Sequence, residues 1–259
     1  MNNQISFVTA FKRFKAPYSM IQHSALYSWK VHDIKVVASA NEIGVKENCK
    51  DYSNITLING VKRARELGFS NQSPIVRDLI EKALPHIETP LIGLINSDII
   101  IASNFSENLN KILEKYGYNI FLASSRENIH LNNLVNSPES YMTVQKENRL
   151  FYDECTSSDV FITSKFWWKK IISSMPDFIL GRFAWDNWLH LYAELNMHDF
   201  RYNSSKELVI IHCDHSYEHI YVQEKAREKE APSSQYNLKL WKESQHSLIF
   251  INNWNRTEI

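Results

Sequence analysis

Cysteine is scarce in this chain of 259 residues, which contains only Cys49, Cys155 and Cys213. The three form an odd number, they are widely spaced, and no two of them make a Cys-x-x-Cys pair. This pattern excludes a disulfide framework. It favours a reducing compartment, where thiols stay free.

Excess charge of either sign is also missing. The 29 basic and 29 acidic side chains give a formal net charge of zero. A protein that binds the nucleic-acid backbone usually carries a surplus of lysine and arginine. We therefore expect no nucleic-acid partner.

Long hydrophobic runs are absent as well, since no window reaches the roughly 18 consecutive apolar residues of a membrane span. The first residues, Met1-Asn2-Asn3-Gln4, are not the basic stretch followed by an apolar stretch that marks a signal peptide. The sequence predicts a cytoplasmic protein without a transmembrane segment. Peripheral association with a membrane surface stays open.

The chain does contain enough apolar side chains for a large core, with 44% hydrophobic and 12% aromatic residues. Residues 5–11 and 34–40 are apolar, strand-like runs, and residues 20–30 between them have a helical apolar face. Strand, helix and strand in this order predict a βαβ unit with a right-handed crossover. We expect an α/β domain over residues 1–215 and a helical extension over residues 216–259 that packs on it.

The stretch at residues 90–101 is the part of the sequence on which this prediction depends most. It reads Pro-Leu-Ile-Gly-Leu-Ile, then Asn96-Ser97-Asp98, then three isoleucines. The apolar parts predict a central strand that ends at Asp98. An aspartate there is costly to bury unless it is paired or binds a cation. It is either a turn or cap residue, or a ligand-binding carboxylate at the carboxyl edge of the sheet, where α/β folds bind their ligands.

The other elements follow from similar signals. Ser73 is predicted to cap a helix, with Pro74 at its first position, and Gly117 to end another. Further elements are predicted at residues 75–84, 106–116, 118–125, 158–163, 164–175, 181–195 and 208–212. Arg126 is placed just beyond its strand, and residues 127–152 are predicted to form a long active-site loop.

Polar side chains fall at strand ends or helix starts in three places: Asn96/Asp98, Asp186/Asn187 and His212/Asp214/His215. Carboxylate oxygen suits Mg²⁺ or Mn²⁺, and Mn²⁺ also accepts imidazole. His212-x-x-His215 lacks the second ligand pair of a zinc finger.

Each of these candidates has a simpler structural explanation. A histidine at a strand end is more often a structural group, and Asp186 could be an ordinary helix N-cap. Trp185 and Trp188 could stack on a sugar or fill the core. Arg126 and Arg182 could contact a diphosphate or an acceptor carboxylate, or form surface ion pairs.

Taken together, the motifs resemble those of GT-A glycosyltransferases, with family-2-like bacterial and plant sequences as the likeness and Asn96-Ser97-Asp98 as a variant DxD motif. The resemblance covers roughly residues 4–220. The residues that carry it, besides that motif, are Trp29, Glu42-Ile43-Gly44, Ser73-Pro74, Ser158-Asp159-Val160-Phe161, Leu180-Gly181-Arg182, Trp185-Asp186-Asn187 and His212-x-Asp214-His215.

The resemblance implies roles for individual residues. Asp98 would bind a divalent cation on the donor diphosphate, with His212, or less readily His215, completing the metal site. Asp186 would act as general base on the acceptor. Donor contacts are expected from Thr9, Ala10, Asn96, Ser97, Asp98 and Arg126. Acceptor contacts are expected from Asp159, Arg182, Trp185 and Asn187.

The resemblance thus predicts a hexosyltransferase-like enzyme that moves a sugar from a nucleotide-diphosphate donor to a hydroxyl group. We expect inversion, a glycan or lipid-linked glycan acceptor, and a place in bacterial surface-glycan synthesis. Because Asn96 brings no charge, binding of Mn²⁺ or Mg²⁺ is expected to be weak. The alternatives are a metal-dependent hydrolase built on Asp98, His212 and His215, and a non-catalytic sugar-nucleotide-binding domain.

Overall fold

The computed structural model describes residues 4–146, 158–197, 201–215 and 231–244. Three parts of the sequence predictions lie outside these described residues. They are Cys155, residues 147–152 of the predicted loop, and residues 216–230 and 245–259 of the predicted C-terminal extension.

The secondary structure alternates between strands and helices along the chain. The strands are β1 (Ile5–Ala10), β2 (Lys35–Ser39), β3 (Ile55–Ile58), β4 (Leu91–Ile95), β5 (Ile99–Ile101), β6 (Phe121–Ile129), β7 (Ser158–Ser164), β8 (Arg201–Asn203) and β9 (Ile210–Cys213). The α-helices are α1 (Tyr18–Val31), α2 (Val45–Cys49), α3 (Val76–Ala83), α4 (Phe105–Tyr116), α5 (Pro138–Lys146), α6 (Lys165–Ser174), α7 (Trp185–Asn196) and α8 (Pro232–Glu243). Short 3₁₀ turns lie at Ala64–Leu67 and Leu84–His86.

The described strands form one sheet in the order β3-β2-β1-β4-β7-β6-β9-β5, and β8 pairs with β6. The half built from β3, β2, β1 and β4 is parallel throughout. β7 runs antiparallel between β4 and β6, and β6 is parallel to β8 and β9. The predicted α/β class is confirmed: the described residues form a mainly parallel central sheet flanked by helices.

β4 shows why this sheet needs helices on both faces. All five of its residues are buried. Ile92 and Leu94 point into a core with α3, α6 and α7, whereas Leu91 and Ile95 point into a second core with α1 and α4. Because side chains alternate along a strand, a strand buried on both faces has to be apolar throughout.

The central stretch differs from the prediction in one respect. β4 ends at Ile95, and the isoleucines that follow the polar motif form β5, which pairs antiparallel with β9. The polar motif is therefore a turn between two strands. Asp98 lies in this turn rather than at the end of a strand.

The predicted loop at residues 127–152 was wrong for residues 127–129 and 138–146, whereas residues 130–137 form neither helix nor strand. β6 continues to Ile129 and includes Arg126, and α5 follows. The polar part of β6 is a strand because it pairs with β9, with Arg126 opposite Ile210 and Asn128 opposite His212. The polar side chains at residues 124–128 of β6 concealed this part of the strand from a prediction based on apolar runs.

Other boundaries also shift. Ile75, not Ser73, is the N-cap of α3, because Pro74 forms a β-bridge with Arg63 that keeps this segment extended. β3 was not predicted, since its edge position leaves it only partly buried. The helix predicted from residue 181 begins at Trp185.

α8 packs on the rest of the fold through a few specific contacts. Trp241 is buried in the same core as α7. The side chain of Asn237 accepts a hydrogen bond from the N–H of Ile179 and donates one to its carbonyl, both at 2.9 Å. This pairing joins α8 to the segment that leads into α7.

Gly93 generates a prediction about the centre of the sheet. It pairs with Phe7 on β1, and a Cβ atom at Gly93 would lie 2.8 Å from Phe7 Cδ1 and 2.9 Å from Cε1. We expect Gly93→Ala to lower the free energy of unfolding by about 1–3 kcal/mol, the usual cost of overpacking a core. Urea denaturation measures it.

The matched control is the double variant Gly93→Ala/Phe7→Leu. Because the smaller side chain vacates the space of the phenyl ring, Gly93→Ala should cost less in the Phe7→Leu background than in the wild type. Strict additivity of the two single changes would contradict the steric explanation.

Candidate functional site

The turn at residues 96–98 is fixed by the ladders on either side of it. The N–H of Asn96 bonds the carbonyl of Asp159 at 3.2 Å, which extends the pairing of β4 with β7. The carbonyl of Asp98 accepts from the N–H of Cys213 at 3.1 Å, where β5 meets β9. The turn thus lies beside the carboxyl ends of β1 and β4.

Asp98 is the centre of a cluster of four side chains that come from distant parts of the chain. Lys12 Nζ lies 2.9 Å from Asp98 Oδ2, His215 Nε2 lies 3.1 Å from it, and His212 Nε2 lies 3.9 Å from it. We call Lys12, Asp98, His212 and His215 the Asp98 cluster. All but Lys12 are buried.

Electrostatics in the Asp98 cluster favour an ionised carboxylate. Burial alone would raise the pKa of Asp98, but the charge of Lys12, the hydrogen bond with His215 and the nearby His212 hold that pKa well below its ordinary value. Burial lowers the pKa of His212, which favours the neutral imidazole. A neutral imidazole and a carboxylate are the forms that bind metal ions.

The donor atoms of the cluster fit a divalent cation in type. Asp98, His212 and His215 offer an oxygen and two nitrogens within 4.8 Å of one another. Asp98 Oδ1 is buried and has no hydrogen-bond partner among the described residues. A mixed oxygen and imidazole set suits Mn²⁺. These residues could therefore hold a cation, but His215 Nε2 is also 2.9 Å from Lys12 Nζ.

A second polar group borders the cluster. Asp159 accepts from Asn96 Nδ2 at 2.5 Å on one oxygen and from Arg126 at 2.8 Å on the other. His212 Nδ1 lies 2.9 Å from Asn128 Oδ1, its partner in the β6–β9 pairing. Both carboxylate oxygens of Asp159 therefore accept hydrogen bonds, one from the side chain of Asn96 and the other from Arg126.

α7 brings a second carboxylate to the same end of the sheet. Trp185 packs edge-on against Phe161, and His190 Nε2 lies 3.0 Å from Ser158 Oγ, so α7 contacts the first half of β7. That half of β7 pairs with the end of β4. Asp186, in the first turn of α7, is half-buried.

Asp186 is not the N-cap of α7. That position belongs to Ala184, whose φ of 78° is left-handed and costs energy for a residue with a Cβ atom. Strain of this kind persists only where the surrounding structure enforces it, and it is often found at functional sites. Asp186 Oδ1 accepts from the N–H of Asn187 at 2.9 Å.

The predicted site residues fall into two groups. Asn96, Asp98, Arg126, Asp159 and His212 come together, and His215 is closer to Asp98 than His212 is. The residues predicted to contact an acceptor, other than Asp159, lie close to Asp186 in the sequence: Arg182, Trp185 and Asn187.

Several of the predicted residues make structural contacts. Thr9 Oγ1 donates to the carbonyl of Ile95 at 2.7 Å, and Ala10 ends β1 beside it. Arg182 is buried, and its Nε donates to Ser233 Oγ on α8 at 2.7 Å. Trp185 and Trp188 are buried in the core, which favours the packing explanation for both.

Sequence reasoning missed Lys12 and Gln22. The side chain of Gln22 pairs with both backbone groups of Lys12, at 2.6 and 3.0 Å, and Ser97 Oγ donates to its Oε1 at 3.1 Å. The sequence offers one weak signal, namely that Lys12 follows a strand at its carboxyl end. Its partner is 86 residues away.

Comparisons with known proteins show only limited similarity between them and this chain. No family model matches the chain, and no curated protein matches it. Among solved structures, S. aureus TarS is similar at 13% identity and a TM-score of 0.47, with 83% of this chain and 36% of that chain covered.

Two structures of S. aureus TarS residues 1–349 are also similar. The one in complex with UDP-GlcNAc gives 11% identity and a TM-score of 0.48 over 93% of this chain and 71% of that chain. The other gives 12% and 0.46 over 92% and 69%. The chain thus spans about a third of the length of the TarS chain first mentioned.

Among the residues that the structure describes, none of the helices combines the length and the apolar character needed to cross a membrane.

The buried His190 generates a prediction about acid stability. Burial lowers its pKa to about 3, whereas an unfolded histidine titrates near 6.5. Below pH 6.5 the unfolded chain therefore takes up a proton that the folded chain does not. The free energy of unfolding should fall by up to about 1.4 kcal/mol per pH unit for this group. Urea denaturation between pH 6.5 and 4.5 measures the slope.

His190→Gln keeps a polar partner for Ser158 but does not titrate, so the slope should become shallower. His86→Gln, at an exposed histidine, is the matched control. An unchanged slope in His190→Gln would show that this residue does not govern acid sensitivity.

Proposed function

We propose that this protein is a glycosyltransferase that moves a sugar from a nucleotide-diphosphate donor to a hydroxyl group of an acceptor. The observation that carries the proposal is the Asp98 cluster, with a buried carboxylate and a partly exposed ammonium group at the carboxyl ends of β1 and β4. Crevices at this edge are where α/β sheets bind nucleotides.

The donor has to lose a nucleoside diphosphate, so negative charge develops on the leaving phosphate. A positive charge placed there in advance lowers the barrier. If a divalent cation binds, Asp98 and His212 are its proposed ligands, with His215 as a third, and the cation would neutralise the leaving group.

Donor binding is proposed to involve the ends of β1 and β4 and strand β6, which β7 separates from β4. Thr9 and Ala10 end β1, Asn96 and Ser97 form the turn, and Arg126 lies beside it, held by Asp159. Since Asp159 fixes the guanidinium group, Arg126 is pre-oriented toward an anionic ligand.

Asp186 is the proposed general base. The acceptor hydroxyl must lose its proton as it attacks, and a half-buried carboxylate near the donor site can take it. The amino end of α7 favours a negative charge, which keeps the carboxylate in its basic form. One displacement with a single base gives inversion at the sugar carbon. Asp159 and Asn187 are the proposed acceptor contacts, and Arg182 and Trp185 are proposed to support the acceptor site through their buried contacts with α8 and the core.

The proposal extends to the biological setting. A glycan or lipid-linked glycan in bacterial surface-glycan synthesis is the proposed acceptor, and attachment to the membrane surface is compatible with it. A cytoplasmic location is part of the proposal, because charged nucleotide sugars do not cross membranes unaided. Residues 216–259 are proposed as a C-terminal extension on a catalytic domain at 1–215.

A metal-dependent hydrolase is the second candidate, favoured by the three potential ligands Asp98, His212 and His215. Incubation with a panel of nucleotide sugars, followed by mass spectrometry, separates the two. A transferase releases nucleoside diphosphate much faster when an acceptor is present, whereas a hydrolase needs the metal and no acceptor. A binding domain shows stabilisation without turnover.

Asp186→Asn tests the catalytic assignment. Because the base acts mainly in the transition state, kcat should fall by about 10²–10⁴-fold while donor affinity changes little. The amide keeps the shape of the carboxylate, so the free energy of unfolding should change by no more than about 1 kcal/mol. Steady-state kinetics and calorimetry measure the two effects.

Asp177→Asn is the matched control, since Asp177 pairs with Lys62 and Arg77 away from the cluster. Its kcat should stay near that of the wild type. A transfer rate in Asp186→Asn within a few-fold of the wild type would show that Asp186 is not the general base. Asp159 would then be the next candidate.

A further inference from the structure

Lys12 occupies the point at which the acceptor atoms of the Asp98 cluster converge. Its Nζ lies 2.9 Å from Asp98 Oδ2 and 2.9 Å from His215 Nε2, and those two atoms are 3.1 Å apart. His215 Nε2 faces both groups, and its tautomer sets whether it accepts from the ammonium group of Lys12 or donates to Asp98 Oδ2. One cation thus bridges an oxygen and a nitrogen.

The backbone of Lys12 is held as firmly as its head group. Gln22, buried on α1, closes a two-bond pairing with the N–H and the carbonyl of Lys12. Ser97, inside the 96–98 turn, donates to the same Gln22 oxygen. The loop after β1 and the turn after β4 are therefore built as one unit, which distinguishes Lys12 from a surface lysine that happens to lie nearby.

The lone pairs in the cluster decide what else can bind. The Nε2 atom of a neutral imidazole has a single lone pair. A metal ion on His215 Nε2 would need this lone pair, and the ammonium group of Lys12 lies only 2.9 Å from the same atom. The metal ion would therefore have to displace Lys12.

The charge balance points the same way. Asp98 is the only carboxylate in the cluster, and Lys12 already compensates it. Asn96 stands where a second acid would add charge, and its amide is directed to Asp159, which Arg126 neutralises. A divalent ion added beside Lys12 would leave uncompensated positive charge in a buried place, which is costly.

We propose that Lys12 is the resident cation of this site: its ammonium group takes the position of a divalent ion and binds the diphosphate of the donor directly. The part that concerns the diphosphate rests on the proposed function, whereas the competition with metal does not. The Lys12 side chain keeps 31% of its exposure while that of Asp98 keeps 7%, so Lys12 is the member that a phosphate can reach.

The first experiment measures binding of Mn²⁺ alone by calorimetry. Wild-type protein should bind Mn²⁺ weakly, and Lys12→Met should bind it at least tenfold more tightly, because Asp98 and His215 are released. Adding His215→Ala to Lys12→Met should abolish the gain. Equal Mn²⁺ affinity in the wild type and Lys12→Met would overturn the competition.

The second experiment measures binding of inorganic pyrophosphate in the presence of EDTA. Wild-type protein should bind it, and Lys12→Met should lose at least tenfold in affinity. Lys15→Met removes an exposed lysine of the same loop and should behave like the wild type. If the wild type binds no pyrophosphate without metal, Lys12 is not the diphosphate ligand.

Thermal unfolding of each variant checks that the fold is kept, and Lys12→Gln replaces Lys12→Met if the latter is unstable.

The two proposals, the glycosyltransferase and the resident cation, fail in different ways. Absence of sugar transfer from every donor, together with the expected Mn²⁺ result, would reject the glycosyltransferase and keep Lys12 as the resident cation. Sugar transfer that requires Mn²⁺, with Mn²⁺ bound equally by the wild type and Lys12→Met, would reject Lys12 as the resident cation and keep the glycosyltransferase.

Discussion

The ion pair between Asp98 and Lys12 is the interaction on which the site depends. A buried carboxylate without a partner would cost several kcal/mol. Lys12 removes that cost, and in doing so it joins the loop after β1 to the turn after β4. Gln22 repeats the connection through hydrogen bonds. The loop after β1 and the turn after β4 are therefore joined to each other by polar contacts.

Much of the fold could be predicted because its core strands are local signals. β1, β2 and β4 are apolar runs, and each is buried on both faces, so composition alone identifies them. Strand β6 was predicted only in part, as far as residue 125. Its polar residues Arg126 and Asn128 belong to the strand because they pair with β9. Pairing between distant strands leaves no periodic pattern in either segment.

The same reasoning explains which parts of the site the sequence revealed. Asp98 and His212 could be predicted as site residues because each follows an apolar run. Lys12 was not, because its role comes from the register of β1 against β4 and from a side chain 86 residues away. The strained backbone at Ala184 was hidden as well, since alanine, unlike glycine, gives no sequence signal for a left-handed conformation.

The pairing of Asn237 with Ile179 has a consequence for communication within the chain. Ile179 is fully buried, and both its backbone groups are satisfied by one side chain of α8. Arg182, three residues on, is tied to Ser233 of the same helix. The segment that leads to Asp186 is thus anchored on α8, in addition to its β-bridge with Ile75 and the packing of Trp185 on the sheet. A partner, a modification or a cleavage that shifted residues 231–244 would therefore move this segment without contacting the Asp98 cluster.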